Sequence, residues 1–410
     1  MIHLRIIIRT GGPLAELERK VIPIGPFHPL QEEAEYFKLT VEGETVTHLD
    51  IQLGYMHRGH EKICEGKTYD MIPFVVERIC GICSTSHPFA CVQAIEDAAD
   101  IEIPPRAAYI RSIVGELERI HSHLLWAGLA GHFLGYNTVW MWAWKYREPV
   151  LEMCEVITGN RNHYAMFKPG GVRRDIEPDM IPPLLQMLKE LDKKLWLLTK
   201  AVLDDPVLHK RLEGVGVLTK EKAIEYSTEG PTGRASGVAI DVRKDDPHAA
   251  YDWIEWEEIV LPEGDVFAKA KVRLLECLES TKIIRQCLEA IKKLPEGDID
   301  AKMKEPPDDE GIGRYEAPRG EVFHYVKGNG SMYPERYKIR APSFMNIKSN
   351  EAAVVGGSVA DAAITLAAVD PCYCCTERIA AFDTRDKLLY RWDDLVRLSR
   401  EKTSAMGGGS

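Results

Sequence analysis

Arg78-Ile79-Cys80-Gly81-Ile82-Cys83 and Asp370-Pro371-Cys372-Tyr373-Cys374-Cys375-Thr376-Glu377-Arg378 stand at opposite ends of the 410-residue chain. Each contains a CxxC pair, and two such pairs can supply four soft thiolate ligands to a transition metal. A zinc ribbon separates its pairs by about 15–20 residues. Here nearly the whole chain lies between them, so a shared site has to be closed by the global fold. Gly81 lets the backbone approach a bulky centre between Cys80 and Cys83. Pro371 biases Asp370 toward an extended conformation ahead of Cys372. Either pair taken alone also reads as a disulfide or as buried thiols.

Working outward, the chain before the first pair is strand-like. Arg5 to Ile8, Phe37 to Val41 and Val46 to Leu53 form short apolar runs, with a hairpin turn at Glu42-Gly43-Glu44. Between them Gly25-Pro26-Phe27-His28-Pro29 makes a stiff loop able to place a side chain at a site. From Arg106 the period becomes helical: Ile110, Ile113, Val114, Leu117, Ile120 and Leu124 share a spacing of three to four. Further long helices are predicted from Pro182-Pro183 onward and over Val266 to Ile291, where Leu294-Pro295-Glu296-Gly297 follows. Lys302 to Gly313 is polar and proline-rich and reads as an exposed connection. A second β region is expected around Glu321 to Val326 and Tyr337 to Ala341. Asn350 to Ala368 reads as one tightly packed helix delivering the second pair. The fold class is α+β, a long-helix bundle with small β regions near the N-terminus and before the second CxxC. Residues 1–105, 106–300 and 301–410 are three regions of one integrated domain.

Composition narrows the function. The net charge of −11 argues against nucleic acid as a partner. With no secretory signal ahead of the body, the ten cysteines suit metal or redox chemistry better than a disulfide framework. Leu124 to Trp144 imitates a membrane span, but its glycines and polar groups predict two buried helices broken near Gly135-Tyr136-Asn137. Membrane association is therefore expected to come through partners.

Several stretches together carry a family resemblance. They are Gly25-Pro26-Phe27-His28-Pro29-Leu30-Gln31-Glu32-Glu33, Gly54-Tyr55-Met56-His57-Arg58-Gly59, the first CxxC, and Gly115-Glu116-Leu117-Glu118-Arg119-Ile120-His121-Ser122-His123-Leu124. Gly171-Val172-Arg173-Arg174-Asp175, Gly233-Arg234-Ala235-Ser236-Gly237, Glu316-Ala317-Pro318-Arg319-Gly320 and Asp370-Pro371-Cys372 complete the set. The chain resembles the large subunit of energy-converting, membrane-bound nickel–iron hydrogenases and the related quinone-site subunit of respiratory complex I. That resemblance implies a nickel–iron centre on Cys80, Cys83, Cys372 and Cys375, with two thiolates bridging the metals. It places Glu33 at the acidic proton-relay position and Arg319 over the metals. In complex I relatives the histidine equivalent to His28 faces the quinone cavity. His87, four residues past Cys83, can donate a hydrogen bond to a cysteine sulfur. Arg78 and Asp370 are expected to orient the sulfur ligands, whereas Arg58, Arg173 and Arg174 read as structural or interface residues. Cys374 has no counterpart role.

The resemblance also implies partners: an adjacent iron–sulfur small subunit carrying a [4Fe–4S] cluster, membrane ion-pumping subunits, reduced ferredoxin as donor, and a place on the cytoplasmic face of the cell membrane. Hydrogenases of the family lose a C-terminal extension shortly after the last cysteine, a cut that falls here after Arg378. Yet Leu388-Leu389-Tyr390-Arg391-Trp392 looks like folded polypeptide. A tail that stays and packs near the second CxxC tips the expected acceptor slightly toward sulfane sulfur or polysulfide. Proton reduction by a hydrogenase, and a non-catalytic coupling subunit, are the alternatives.

Overall fold

The computed structural model describes residues 19–29, 31–376, 381–382 and 387–406, with the backbone alone for 381–382 and 392–393. The strand expected over Arg5 to Ile8 lies outside these residues. Three strands, β1 (Arg19–Ile24), β2 (Tyr36–Glu42) and β3 (Thr45–Gln52), form an antiparallel meander. Gly43 supplies the positive φ of 62° that the β2–β3 turn requires. The inward residues Phe37, Leu39 and Val41 alternate along β2, and with Val46 and Leu49 of β3, where the pairing shifts register, they are buried.

The body is helical. α1 (Ser86–Ala98) follows the first CxxC directly. α2 (Pro105–Phe133) is paired with α3 (Asn137–Thr158), and the chain breaks between them at Gly135, as the sequence predicts. α4 (Ile181–Leu203) and α5 (Val266–Ile291) complete the bundle. α2 is buried on nearly every face, which marks it as the central helix. Its charged residues are therefore paired inside the protein. Glu116 meets Arg243 at 2.9 Å and the Tyr251 hydroxyl at 2.7 Å, and His123 meets Glu276 at 2.9 Å. Among the described residues no helix is long and apolar enough to cross a membrane.

The second sheet has three strands, β4 (Glu310–Ala317), β5 (Gly320–Lys327) and β6 (Arg336–Arg340). The exposed connection expected up to Gly313 thus ends in a strand. β4 lies across α1 so closely that a Cβ on Gly313 would stand 1.9 Å from the Ala90 carbonyl oxygen. The glycines that read as loop are there for this contact. The helix expected over Asn350 to Ala368 is two helices, Asn350–Val354 and α6 (Val359–Ala368). Gly356, with φ 88°, breaks the first, and the Ser358 hydroxyl accepts from Ala360 N to start the second.

The tail lies only in part within the described residues. Ala381–Phe382 pairs with Leu388–Tyr390, and a helix runs over Trp392–Ala405. Among the described residues of this tail Leu388, Leu389 and Tyr390 are exposed, whereas Leu395 and Leu398 are half-buried.

Candidate metal centre

The fold brings the two CxxC pairs together. The sulfur atoms of Cys80, Cys83, Cys372 and Cys375 all lie within 4.8 Å of one another, and all four residues are buried. Cys80 and Cys372 are 3.1 Å apart, Cys372 and Cys375 3.0 Å, and Cys83 and Cys375 3.6 Å. Thiolates about 2.3 Å from one tetrahedral metal stand about 3.8 Å apart. A metal would open the closest sulfur pairs of this cage by roughly 0.8 Å and the Cys83–Cys375 pair hardly at all, so the donor set fits a soft transition metal. The thiols' mutual hydrogen bonds pull Cys80 and Cys372 below the ordinary thiol range against the opposing effect of burial. Thiolate is the ligand form.

Each loop is fixed from outside the cage. Behind Cys83 the carboxylate of Glu118 on α2 accepts from Thr85 N, from Ser86 N at 3.0 Å and from the Ser86 hydroxyl, tying down the start of α1. Burial pushes the Glu118 carboxyl up to about 8, against the pull of those donors. Ahead of Cys80, Arg58 donates to the Arg78 carbonyl at 3.0 Å and the Ile79 carbonyl at 2.5 Å. Sequence reading gave neither Glu118 nor Arg58 this task. The Gly-Glu-Leu-Glu-Arg stretch was the available signal for Glu118, but nothing in its spacing points to the Cys83 turn.

The second loop hangs on Arg319. Its guanidinium donates to the Asp370 carbonyl at 2.8 Å, to the Asp370 carboxylate at 2.6 Å and to the Ser122 hydroxyl at 2.8 Å. Asp370 has φ 55°, in the left-handed region, and not the extended conformation that the following proline favours. The Arg319 clamp on both its backbone and its side chain holds it there; such strain costs about 1–3 kcal/mol. Cys372 N donates to the Ser343 hydroxyl at 3.0 Å, and Cys374 N to the Glu33 carboxylate at 2.6 Å. The Cys374 sulfur lies 3.5 Å from that of Cys372, so the fifth thiol adjoins the cage.

Two openings flank the centre. On one side Cys83, Cys372 and Cys375 border a small enclosed cavity with His87, Arg319 and Ser343. On the other, a 560 Å³ cavity open to solvent is lined by His28, Glu32, Glu33 and Met56. Glu33 therefore stands between bulk water and the second cysteine loop. Glu32 shares the opening; desolvation raises its carboxyl against Arg319, and its solvent-facing edge argues for a smaller rise than crowding alone would give. His87 Nε2 is 3.4 Å from the Cys375 sulfur. His28 is half-buried on the cavity wall. Arg78 is not brought in: its half-exposed guanidinium turns to Glu77 at 2.5 Å and to the Phe74 carbonyl at 3.1 Å.

A central helix bundle closing two distant CxxC pairs into one buried four-thiol cage defines a class, and comparison with known proteins gives the same one. Residues 134–305 and 299–378 match the family of the respiratory-chain NADH dehydrogenase 49 kDa subunit, and residues 58–128 match nickel-dependent hydrogenase. The chain belongs to this family of complex I-related and hydrogenase large subunits. It is 41% identical over 400 residues to the membrane-bound hydrogenase subunit alpha of Pyrococcus furiosus, covering 93% of each chain. It is 36% identical to the carbon monoxide-induced hydrogenase of Rhodospirillum rubrum, over 87% of this chain and 99% of the other. A chain from the structure of the membrane-bound sulfane sulfur reductase, an archaeal respiratory membrane complex, superposes with a TM-score of 0.82 at 31% identity, covering 90% of this chain and 100% of that one.

Proposed function

We propose that this chain is the catalytic large subunit of an ion-translocating membrane oxidoreductase that reduces protons to hydrogen, in which Cys80, Cys83, Cys372 and Cys375 would hold a nickel–iron centre. The observation that carries the reading is the complete, buried four-thiol cage. When bound, the metal pair supplies the two-electron chemistry. The chain's own residues do the rest. Arg319 sets a fixed, desolvated cation against the enclosed cavity beside the thiols, where it favours negative charge on whatever binds there. Glu33, held by Cys374 N, exchanges protons between the solvent-filled cavity and the thiols. His87 supports the Cys375 sulfur.

Electrons come from reduced ferredoxin through iron–sulfur clusters, the last a [4Fe–4S] cluster in an adjacent small subunit. Membrane subunits on the other side translocate ions, and the chain sits in the peripheral arm on the cytoplasmic face. Its relatives named as a membrane-bound hydrogenase subunit and as part of a respiratory membrane complex support this placement.

A second reading, reduction of sulfane sulfur, is favoured by one observation. Cys374 puts a third thiol in the second loop, 3.5 Å from Cys372, where disulfide chemistry could replace metal chemistry.

The test is metal analysis of the purified complex alongside two assays with reduced ferredoxin. Stoichiometric nickel with hydrogen release supports the first reading. Sulfide release from polysulfide, with no nickel, replaces it by the second.

A further inference from the structure

His87 is the first link of a longer buried chain that leads away from the cage. Its Nε2 meets the Cys375 sulfur at 3.4 Å, and its Nδ1 meets His324 Nε2 at 3.1 Å. His324 Nδ1 meets the Tyr337 hydroxyl at 2.7 Å, and Tyr337 is hydrogen-bonded in turn to Cys91. His87 and Cys375 come from the two ends of the sequence, while His324 and Tyr337 stand on adjacent strands, β5 and β6. His87, His324, Tyr337 and Cys91 are each at most 1% exposed, so the chain runs through the protein interior.

The polarity of this chain can be worked out from donors and acceptors alone. A neutral imidazole carries one N–H and one lone pair. A metal-bound cysteine is a thiolate and can only accept. Facing it, His87 Nε2 must carry the hydrogen, which leaves Nδ1 as a lone pair. His324 must then donate from Nε2, which leaves its own Nδ1 as a lone pair. That lone pair needs a donor, and the Tyr337 hydroxyl is the group that faces it. The 3.1 Å contact between His87 Nδ1 and His324 Nε2 needs one donor and one acceptor, so the two facing nitrogens share a single hydrogen.

We infer that Tyr337 and His324 are positioning residues for the metal centre: the Tyr337 hydroxyl, through His324, locks His87 in the tautomer that donates Nε2–H to Cys375. A hydrogen bond to a metal-bound sulfur tunes the metal's affinity and potential. The inference rests on the four-thiolate reading and adds to it two residues that lie outside every cysteine motif.

The experiment uses the full chain, reduced and anaerobic, with Co2+ alone as the probe. Chelator competition reads affinity, and the thiolate-to-cobalt absorption band reads the sulfur environment. Tyr337→Phe is expected to weaken Co2+ binding about tenfold, the lower end for a group supporting a metal ligand, and to shift the band. Tyr69→Phe is the control: Tyr69 is buried in the same apolar cluster and its hydroxyl has no hydrogen-bond partner among the described residues. It should leave both readouts unchanged. In a His87→Ala background Tyr337→Phe should have no further effect, because the chain is already cut. Should Tyr337→Phe not fold, His324→Phe cuts the same chain one link nearer and is read the same way. An unchanged affinity and band in the cut chain overturns the inference, as does an effect that persists in full without His87. A wild-type chain with no cobalt–thiolate band overturns the four-thiolate reading beneath it.

Discussion

The two cysteine loops reach the same cage by different means. The first is the entry to a helix. Glu118 holds Thr85 and Ser86, Arg58 holds the carbonyls of Arg78 and Ile79, and Ser84 is bonded to Asn162 at 3.0 Å. Its supports are several, and most grip backbone. The second loop begins on a left-handed aspartate, and one arginine holds that residue by two bonds while a third anchors the arginine to Ser122. A loop with distributed supports should tolerate loss of any one. A loop with one principal support should not.

The largest expected effect follows directly. Arg319→Ala leaves the Asp370 carboxylate, 2% exposed, without its cation. Breaking a buried pair from one side costs about 3–5 kcal/mol. The outcome should be loss of bound metal together with a clearly lower unfolding temperature, and Arg319→Lys should recover stability better than metal content, because lysine lacks the planar fork. Metal analysis and calorimetry of both variants check this. Full metal occupancy in Arg319→Ala would erase the contrast between the loops.

Glu118 tests the first loop, and here the pH dependence separates the variants. Its folded carboxyl is pushed up to about 8, so the unfolded chain ionises first. Its contribution to stability is fully present below the ordinary carboxylate range, declines as pH rises toward 8, and is constant above. Glu118→Gln lacks this titration. The variant should be less stable than the parent at pH 5, by about 1–2 kcal/mol for the disturbed bonds, and the gap should shrink by pH 8. Unfolding temperatures at the two pH values decide it. A gap that widens with pH would mean that the three donors outweigh desolvation and that the carboxylate is charged throughout.

Glu33→Gln probes the second loop at its solvent side. Glutamine can still accept from Cys374 N but cannot carry a proton. Turnover should fall about tenfold, the lower part of the range for a lost acid–base group, while metal content stays at the parent level. Loss of metal as well would make Glu33 a second principal support of the loop and not a proton carrier.

The sequence made these loops unequally legible for physical reasons. Long periodic helices were readable, and Val266–Ile291 matches residue for residue. So was the meeting of the two CxxC pairs, because thiolate chemistry demands a partner set. The conformation of Asp370 was not, because the local preference before proline is overridden by a contact with Arg319, 51 positions away. The break at Gly356 was hidden by small residues that suit a packed helix as well as two short ones. Gly311 and Gly313 read as loop because sequence does not show that a helix lies against them. The chain through His324 and Tyr337 was invisible for the same reason: two strand residues gain their meaning only from the histidine they face.

The smallest effect is expected where sequence reading placed a ligand-orienting residue and the structure does not. Arg78 stands two positions before Cys80 in the sequence, and a cation near a thiolate is an attractive assignment. In the fold its side chain is half exposed, pairs with Glu77 and reaches the Phe74 carbonyl. The part of Arg78 that serves the cage is its backbone carbonyl, which Arg58 holds and which any residue would supply. An ion pair with one exposed partner contributes about 0–1 kcal/mol. Arg78→Ala should therefore change stability by less than about 1 kcal/mol and leave metal content and turnover at parent values. Arg58→Ala should do more than Arg78→Ala on all three, since it releases two carbonyls at the entry to Cys80. Measuring the two side by side separates a residue that is near the cage in sequence from one that holds it in space. The reverse ranking would show that the side chain of Arg78 turns inward in the assembled complex, and the first loop would then depend on a single cation as the second does.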